Sequence, residues 1–223
     1  MGYQLRPSRP LADELRRVLV EQATGAARAC QSSDAHEGVH EVRRRCKKIR
    51  AALRLGRPAL GAAFARENQA FREIGRSISQ LRDAQAVVEA VTALRPIAQP
   101  GPVADALAEA DQKLSSRRDS AASPDELRES LGQAAVRLNE AGERLARLTF
   151  KGRGFHQIAG GLQRTYRDCR HRMRGARAEP TVEAMHEWRK RVKDHRYHVR
   201  LLRPILPGPM EARTTELHRL SDL

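Results

Sequence analysis

The string "VHEVRRRCKKIRAALRL" at residues 39–55 returns in altered form as "MHEWRKRVKDHRYHVRL" at residues 185–201. Laid without gaps at an offset of 146, His40 falls on His186, Glu41 on Glu187, Arg43 on Arg189, Arg45 on Arg191 and Lys47 on Lys193. Arg50, Arg54 and Leu55 then meet Arg196, Arg200 and Leu201, and the register holds through Arg57–Pro58 against Arg203–Pro204 to Leu60 against Leu206. A general bias toward basic residues would not put histidine, proline and leucine at matching places. The chain is therefore read as two related halves, and whatever one copy folds into, the other must fold into as well.

Both copies carry helical patterning. Alanine, leucine, arginine and glutamate dominate, aromatic residues make up 4% of the 223 residues, and apolar residues recur at spacings of three and four. That pattern predicts an all-α fold. Helices are expected at about 10–31, 36–56, 60–95, 102–120, 124–148, 154–177, 181–203 and 209–223. Breaks are expected at "GRP", "PIAQPGP", "ASP", "FKGRG", "AEP" and "RPILPGP". Pro124 after Ser123 and Thr181 after Pro180 mark two helix starts. With 40% hydrophobic residues the chain can bury a real core. The organisation read from the repeat is a single domain over 1–223, with a first helical half at 10–100, a connecting helical segment at 101–150 and a second half at 151–223.

Charge follows the repeat. The formal net charge is +15, and two blocks account for it: residues 40–57 with eight bases and one acid, and residues 162–203 with thirteen bases and five acids. Residues 100–148 hold seven bases and nine acids, the composition of a structural helical segment rather than a binding surface. A chain so basic is expected to seek polyanions: nucleic acid, acidic membrane or phosphate polymers. Three cysteines, Cys30, Cys46 and Cys169, with no CxxC spacing, argue against a disulfide framework and a structural zinc site. No stretch approaches the roughly 18 uninterrupted apolar residues of a membrane span, and the N-terminus lacks the apolar core of a secretory signal. A cytoplasmic protein is expected, with no membrane partner.

At about 100° per residue, Val42, Cys46, Ile49 and Leu53 fall on one face of the first helix. His40, Arg43, Lys47, Arg50 and Arg54 form a neighbouring stripe about 21 Å long. In the second copy His186, Arg189, Lys193, Arg196 and Arg200 repeat the stripe, with Trp188, Val192 and Val199 toward the packing side. Arg44 and its counterpart Lys190 adjoin the two stripes, and a further stripe of Arg164, Arg167, His171 and Arg174 lies on the preceding helix. A charge run on a helix is ordinarily a solvated face that mixes signs at i,i+4. These stripes instead set like charges at successive turns in both halves, which points to an anion that joins them.

Enzyme signatures fail. "HEVRR" and "HEWRK" begin like the zinc motif HExxH, but Arg44 or Lys190 stands where the second histidine belongs, so no metal is expected. The sequence contains no GxxxxGK[ST], GxGxxG or GxSxG. His195 and His198 are read as ordinary surface or core residues. Without clustered carboxylates to hold Mg²⁺, an enzyme of phosphate-polymer metabolism is the least favoured reading, and no cofactor is expected.

The two basic helices resemble the signature helices of the CHAD domain, the conserved histidine α-helical domain, in which a histidine leads a helix studded with Arg and Lys. "FREIGRSISQLRDAQAVVEAV", with Arg82 and Asp83, is similar to the family's helix bearing an Arg-Asp pair, and "GFHQIAGGLQRTYRDCRHRM" to the opening of its second half. The resemblance covers about residue 11 to the end. It implies two pseudo-symmetric antiparallel helical bundles around a basic cavity or groove that binds inorganic polyphosphate, and association with intracellular polyphosphate granules. The family's acidic segment in the second half would fall at about 227–233, past Leu223, so the second half is expected to lack its last helices.

The residue chemistry suits such a ligand. A flexible phosphate chain has no bases and no fixed groove, so rows of guanidinium and ammonium donors are what its recognition requires. On this reading the ligand residues are His40, Arg43, Arg44, Lys47, Arg50, Arg54, Arg164, Arg167, His186, Arg189, Lys190, Lys193, Arg196 and Arg200. Protonated His40 and His186 would donate as well, so affinity is expected to rise toward about pH 6. Glu41 and Glu187 would orient basic side chains. Nucleic acid is the alternative partner, weakened to a non-specific competitor by the scarcity of aromatic residues and of groove-reading or base-stacking motifs.

Overall fold

The computed structural model of the chain describes residues 2–80, Glu109 and residues 124–222. Among them run eight helices and no strand: α1 (Leu11–Ala29), α2 (Ala35–Leu55), α3 (Arg57–Leu60), α4 (Ala62–Gln80), α5 (Pro124–Ala146), α6 (His156–Ala178), α7 (Val182–Leu202) and α8 (Pro207–Asp222). The all-α expectation holds. The expected helix at 102–120, the remainder of the one at 60–95 and the Arg82-Asp83 pair lie outside the described residues.

Helix boundaries follow local chemistry. Asp34 caps α2, its Oδ1 accepting from the backbone N–H groups of His36 at 2.8 Å and Glu37 at 3.2 Å, and Thr181 Oγ1 accepts from Ala184 N at 3.1 Å at the start of α7. The "GRP" break is shorter than expected. Pro58 is accommodated in the first turn of α3, where its missing N–H costs nothing, and the stop comes instead at Gly61, whose φ of 54° favours glycine.

Helices α1, α2, α4 and α5 form a ring of four in which each packs on its two neighbours. Their inner faces are Leu15, Val18 and Leu19 of α1, Val42, Ile49 and Leu53 of α2, Phe71 and Ile74 of α4, and Leu131, Leu138 and Leu145 of α5, all essentially inaccessible to water. Burial of each such side chain contributes about 2 kcal/mol. Helix α7 packs on α6 and α8, with a much smaller core of Val192, Val199 and Leu217 backed by Trp188, Cys169 and Met210.

Helix α2 joins the two groups, touching α6 and α7 on the side away from its own bundle. Gly161 lets α6 approach closely: a Cβ there would collide with the carbonyl oxygens of Leu55 and Arg54 at the end of α2. The segment before α1 tightens the joint. Leu5 N donates to Leu201 O at 3.0 Å, Tyr3 Oη donates to Lys48 O at 2.8 Å, and the Tyr3 and Tyr197 rings meet edge to face with centroids 6.0 Å apart. His198 is fully buried between α7 and α2, its Nε2 lying 2.8 Å from Ala51 O.

Candidate functional site

With Val42, Cys46, Ile49 and Leu53 committed to the bundle core, Arg54 of α2 lies on the face that meets α7, while Arg45 turns to Gln22 of α1 and Arg50 to Asn68 of α4. At the centre of that face Lys47 lies within electrostatic reach of Arg43 and of Lys193 on α7. Partial loss of water, then the charges of Arg43 and Lys193, hold the Lys47 ammonium below its ordinary pKa. Lys47 and Lys193 are also partners in the sequence repeat. The stripes of α2 and α7 thus share one field.

Toward the C-terminal end of α2, Arg54 Nη1 donates to Asp194 Oδ1 at 2.7 Å, and Arg191 Nη1 donates to Asp194 Oδ2 at 3.0 Å. Arg50 Nε donates to Asn68 Oδ1 at 3.3 Å. Burial and then Arg54 bring the Arg50 guanidinium down to about 10, so it stays charged at neutral pH. A polar cleft of about 250 Å³ opens here between α2, α6 and α7, lined by Arg54, Arg57, Arg164 and Arg191 together with Asn68, Thr165, Asp168 and Asp194. Arg57 is steadied by the Phe64 ring, 4.7 Å from its centroid.

The buried Lys48 ammonium, next along α2 from Lys47, is pushed down to about 8, first by burial and then by Arg44, Arg200 and Arg45, against the opposing pull of Glu41. Its Nζ lies 5.6 Å from the centroid of the Tyr3 ring. The repeated glutamates hold the repeated bases. Glu41 accepts from Arg44, and Glu187 Oε1 accepts from Lys190 Nζ at 2.6 Å. Both pairs are exposed and span three residues, so they set side-chain direction more than stability.

The remaining expected ligands sit farther from this centre. His40 and His186 are exposed in the second turns of α2 and α7, Arg189 is exposed on α7 and Arg167 on α6. Arg196 Nη1 lies 3.3 Å from His218 Nδ1 on α8. His195 and His198 are both buried, and burial pushes each imidazole down to about 4. Neutral at physiological pH, His198 donates its Nε2–H to Ala51 O.

A larger cavity of about 760 Å³ between α6, α7 and α8 is lined chiefly by apolar side chains, among them Leu162, Val199 and Met210, and offers little to an anion. No group of three or more His, Cys, Asp or Glu side chains suited to a metal occurs among the described residues, and no described helix is long and apolar enough to cross a membrane.

A face of paired histidine-led basic helices is the hallmark expected of the CHAD fold, and the family model for the CHAD domain matches residues 10–223. This chain belongs to the CHAD family. No curated protein and no solved structure matches it. Within this CHAD domain several residues of the basic face were not anticipated from the sequence: Lys48, Arg57, Arg191, Asn68 and above all Asp194. Only Asp194 left a signal, because the offset of 146 sets it opposite Lys48, an acid where the first copy has a base.

Proposed function

We propose that this CHAD domain binds inorganic polyphosphate without catalysis, along the joint face of α2 and α7. The observation that supports this best is the convergence of Arg54, Arg57, Arg164 and Arg191 on one cleft, beside Lys47, which lies within electrostatic reach of Arg43 and Lys193. Like charges brought together at a partly buried seam cost folding energy that a bound polyanion returns. Arg43, Lys47 and Arg50 from α2, Lys193, Arg196 and Arg200 from α7, and Arg164 from α6 would supply donors to successive phosphates. Arg44, Lys190, Arg189, Arg167 and the exposed His40 and His186 would extend the track at its edges. Arg54, tied to Asp194, would join only when that pair opens.

The seam also supports a duplicated, pseudo-symmetric construction of two halves. Lys47 lies within electrostatic reach of its own repeat partner Lys193, Arg54 reaches Asp194, and their repeat partners Arg200 and Lys48 lie within electrostatic reach of each other. A linear polymer with no direction-reading bases suits such a track. Localisation with polyphosphate granules in the cytoplasm follows from the same reading.

The test is a titration of long-chain polyphosphate against single-stranded DNA matched in charge, at about 0.15 M salt, because polyanion affinity falls steeply with salt. The native chain should prefer polyphosphate, and a chain with Arg43, Lys47, Arg189 and Lys193 changed to Ala should lose that binding. Equal binding of DNA would favour a general polyanion or nucleic-acid role. Unchanged binding by the variant would remove the seam from the mechanism, and release of orthophosphate in the presence of Mg²⁺ would reveal an enzyme.

A further inference from the structure

The match between the two basic helices is broken by one charge reversal. Asp194 stands where the first copy has Lys48, an acid in place of a base, and it pairs with Arg54 of α2. The Asp194 carboxylate uses both of its oxygens, Oδ1 toward Arg54 at 2.7 Å and Oδ2 toward Arg191 at 3.0 Å. Two acceptor oxygens holding two guanidinium groups is the arrangement a phosphate would make at the same place. Only 17% of the Asp194 side chain is exposed, and it lines the cleft that also receives Arg57 and Arg164.

We propose that Asp194 is a built-in counter-anion: it occupies Arg54 and Arg191 in place of a phosphate and keeps the cleft between α2, α6 and α7 from binding polyphosphate at full strength. The inference rests on the polyphosphate reading above. Its physical basis is competition. A phosphate entering the cleft must displace a tethered carboxylate already held by two charge-assisted hydrogen bonds.

Polyphosphate titrations over a range of salt on the native chain, Asp194→Asn, Arg54→Gln and the double variant test this, with thermal melts to establish folding. Asparagine keeps the side chain's size and one acceptor while removing its charge. Asp194→Asn should bind about tenfold tighter, with a salt slope steeper by roughly 1–2, since each newly engaged base adds somewhat less than one released counterion. Arg54→Gln should weaken the native chain by less than about twofold but the Asp194→Asn background by about tenfold, a coupling that a merely structural ion pair would not give.

A folded Asp194→Asn chain with native affinity and slope overturns the inference while leaving the polyphosphate reading intact. So does an Arg54→Gln chain weakened about tenfold in the native background. If Asp194→Asn does not fold, Asp194→Ser takes its place in the same comparison, with the same outcomes expected. Failure of both the native and the Asp194→Asn chains to bind overturns the polyphosphate reading and this inference with it.

Discussion

Acidification should loosen the joint between α2 and α7 through His198. The imidazole is fully buried, donates through Nε2 to Ala51 O at 2.8 Å, and its Nδ1 has no hydrogen-bond partner among the described residues. A second proton would place a charge and an unmet donor in the joint, near Arg54. Burial, opposed by the Ala51 bond, lowers the group from 6.5 to about 4. The unfolded chain therefore binds more protons than the folded chain between those values, so stability falls as pH drops through that window. From pH 7 to pH 5 one such histidine costs about 2 kcal/mol, a range that stays above the titration of ordinary carboxylates. His195, lowered likewise to about 4, adds a comparable loss. Urea unfolding followed by far-ultraviolet circular dichroism at pH 7 and pH 5 measures the total for the native chain. His198→Gln, which keeps a donor near the Nε2 position but cannot titrate, should lose about 2 kcal/mol less than the native chain over the same interval. Identical losses in the two proteins would refute the assignment of His198 as a neutral buried strut.

Three further outcomes are expected. Gly161→Ala should destabilise the fold by about 1–3 kcal/mol in chemical denaturation because its Cβ strikes the last carbonyls of α2, whereas Gly175→Ala on the same helix, with open space around its Cβ, should be neutral or stabilising. Polyphosphate binding at pH 8.5 should take up about half a proton as the anion restores the charge of Lys48, seen by calorimetry in buffers of different ionisation heat and abolished by Lys48→Met. Affinity for polyphosphate should rise from pH 8 to pH 6 in the native chain and rise less in a His40→Ala, His186→Ala double variant; parallel pH profiles would remove the exposed histidines from the site.

Much of the fold was legible before any coordinates. The stripe of Val42, Cys46, Ile49 and Leu53 is an i, i+4, i+7, i+11 pattern that only a helix can bury together, and all four are buried. Caps and breaks at Asp34, Thr181 and Gly61 are local events that depend on a few neighbouring residues. The family follows from the same motifs, because a histidine-led basic helix spelled twice at one offset is itself a sequence property.

The pairing of those helices is another matter. Periodicity shows that α2 has an apolar face and a basic one, but not that the basic face is half-covered by α7, nor that Lys47 finds Lys193 there. His195 and His198 look alike in the string, three residues apart on a basic helix, yet only His198 reaches Ala51 across the joint. Asp194 stands out against the repeat, but its meaning comes from Arg54, 140 positions away in the chain. By itself the sequence determined helix type, helix limits, charge and family, because each rests on neighbours along the chain or on matched spelling. Tertiary structure decided which charges meet, which are neutralised and which imidazoles are dry, because field and desolvation depend on distances in space that residue spacing does not encode.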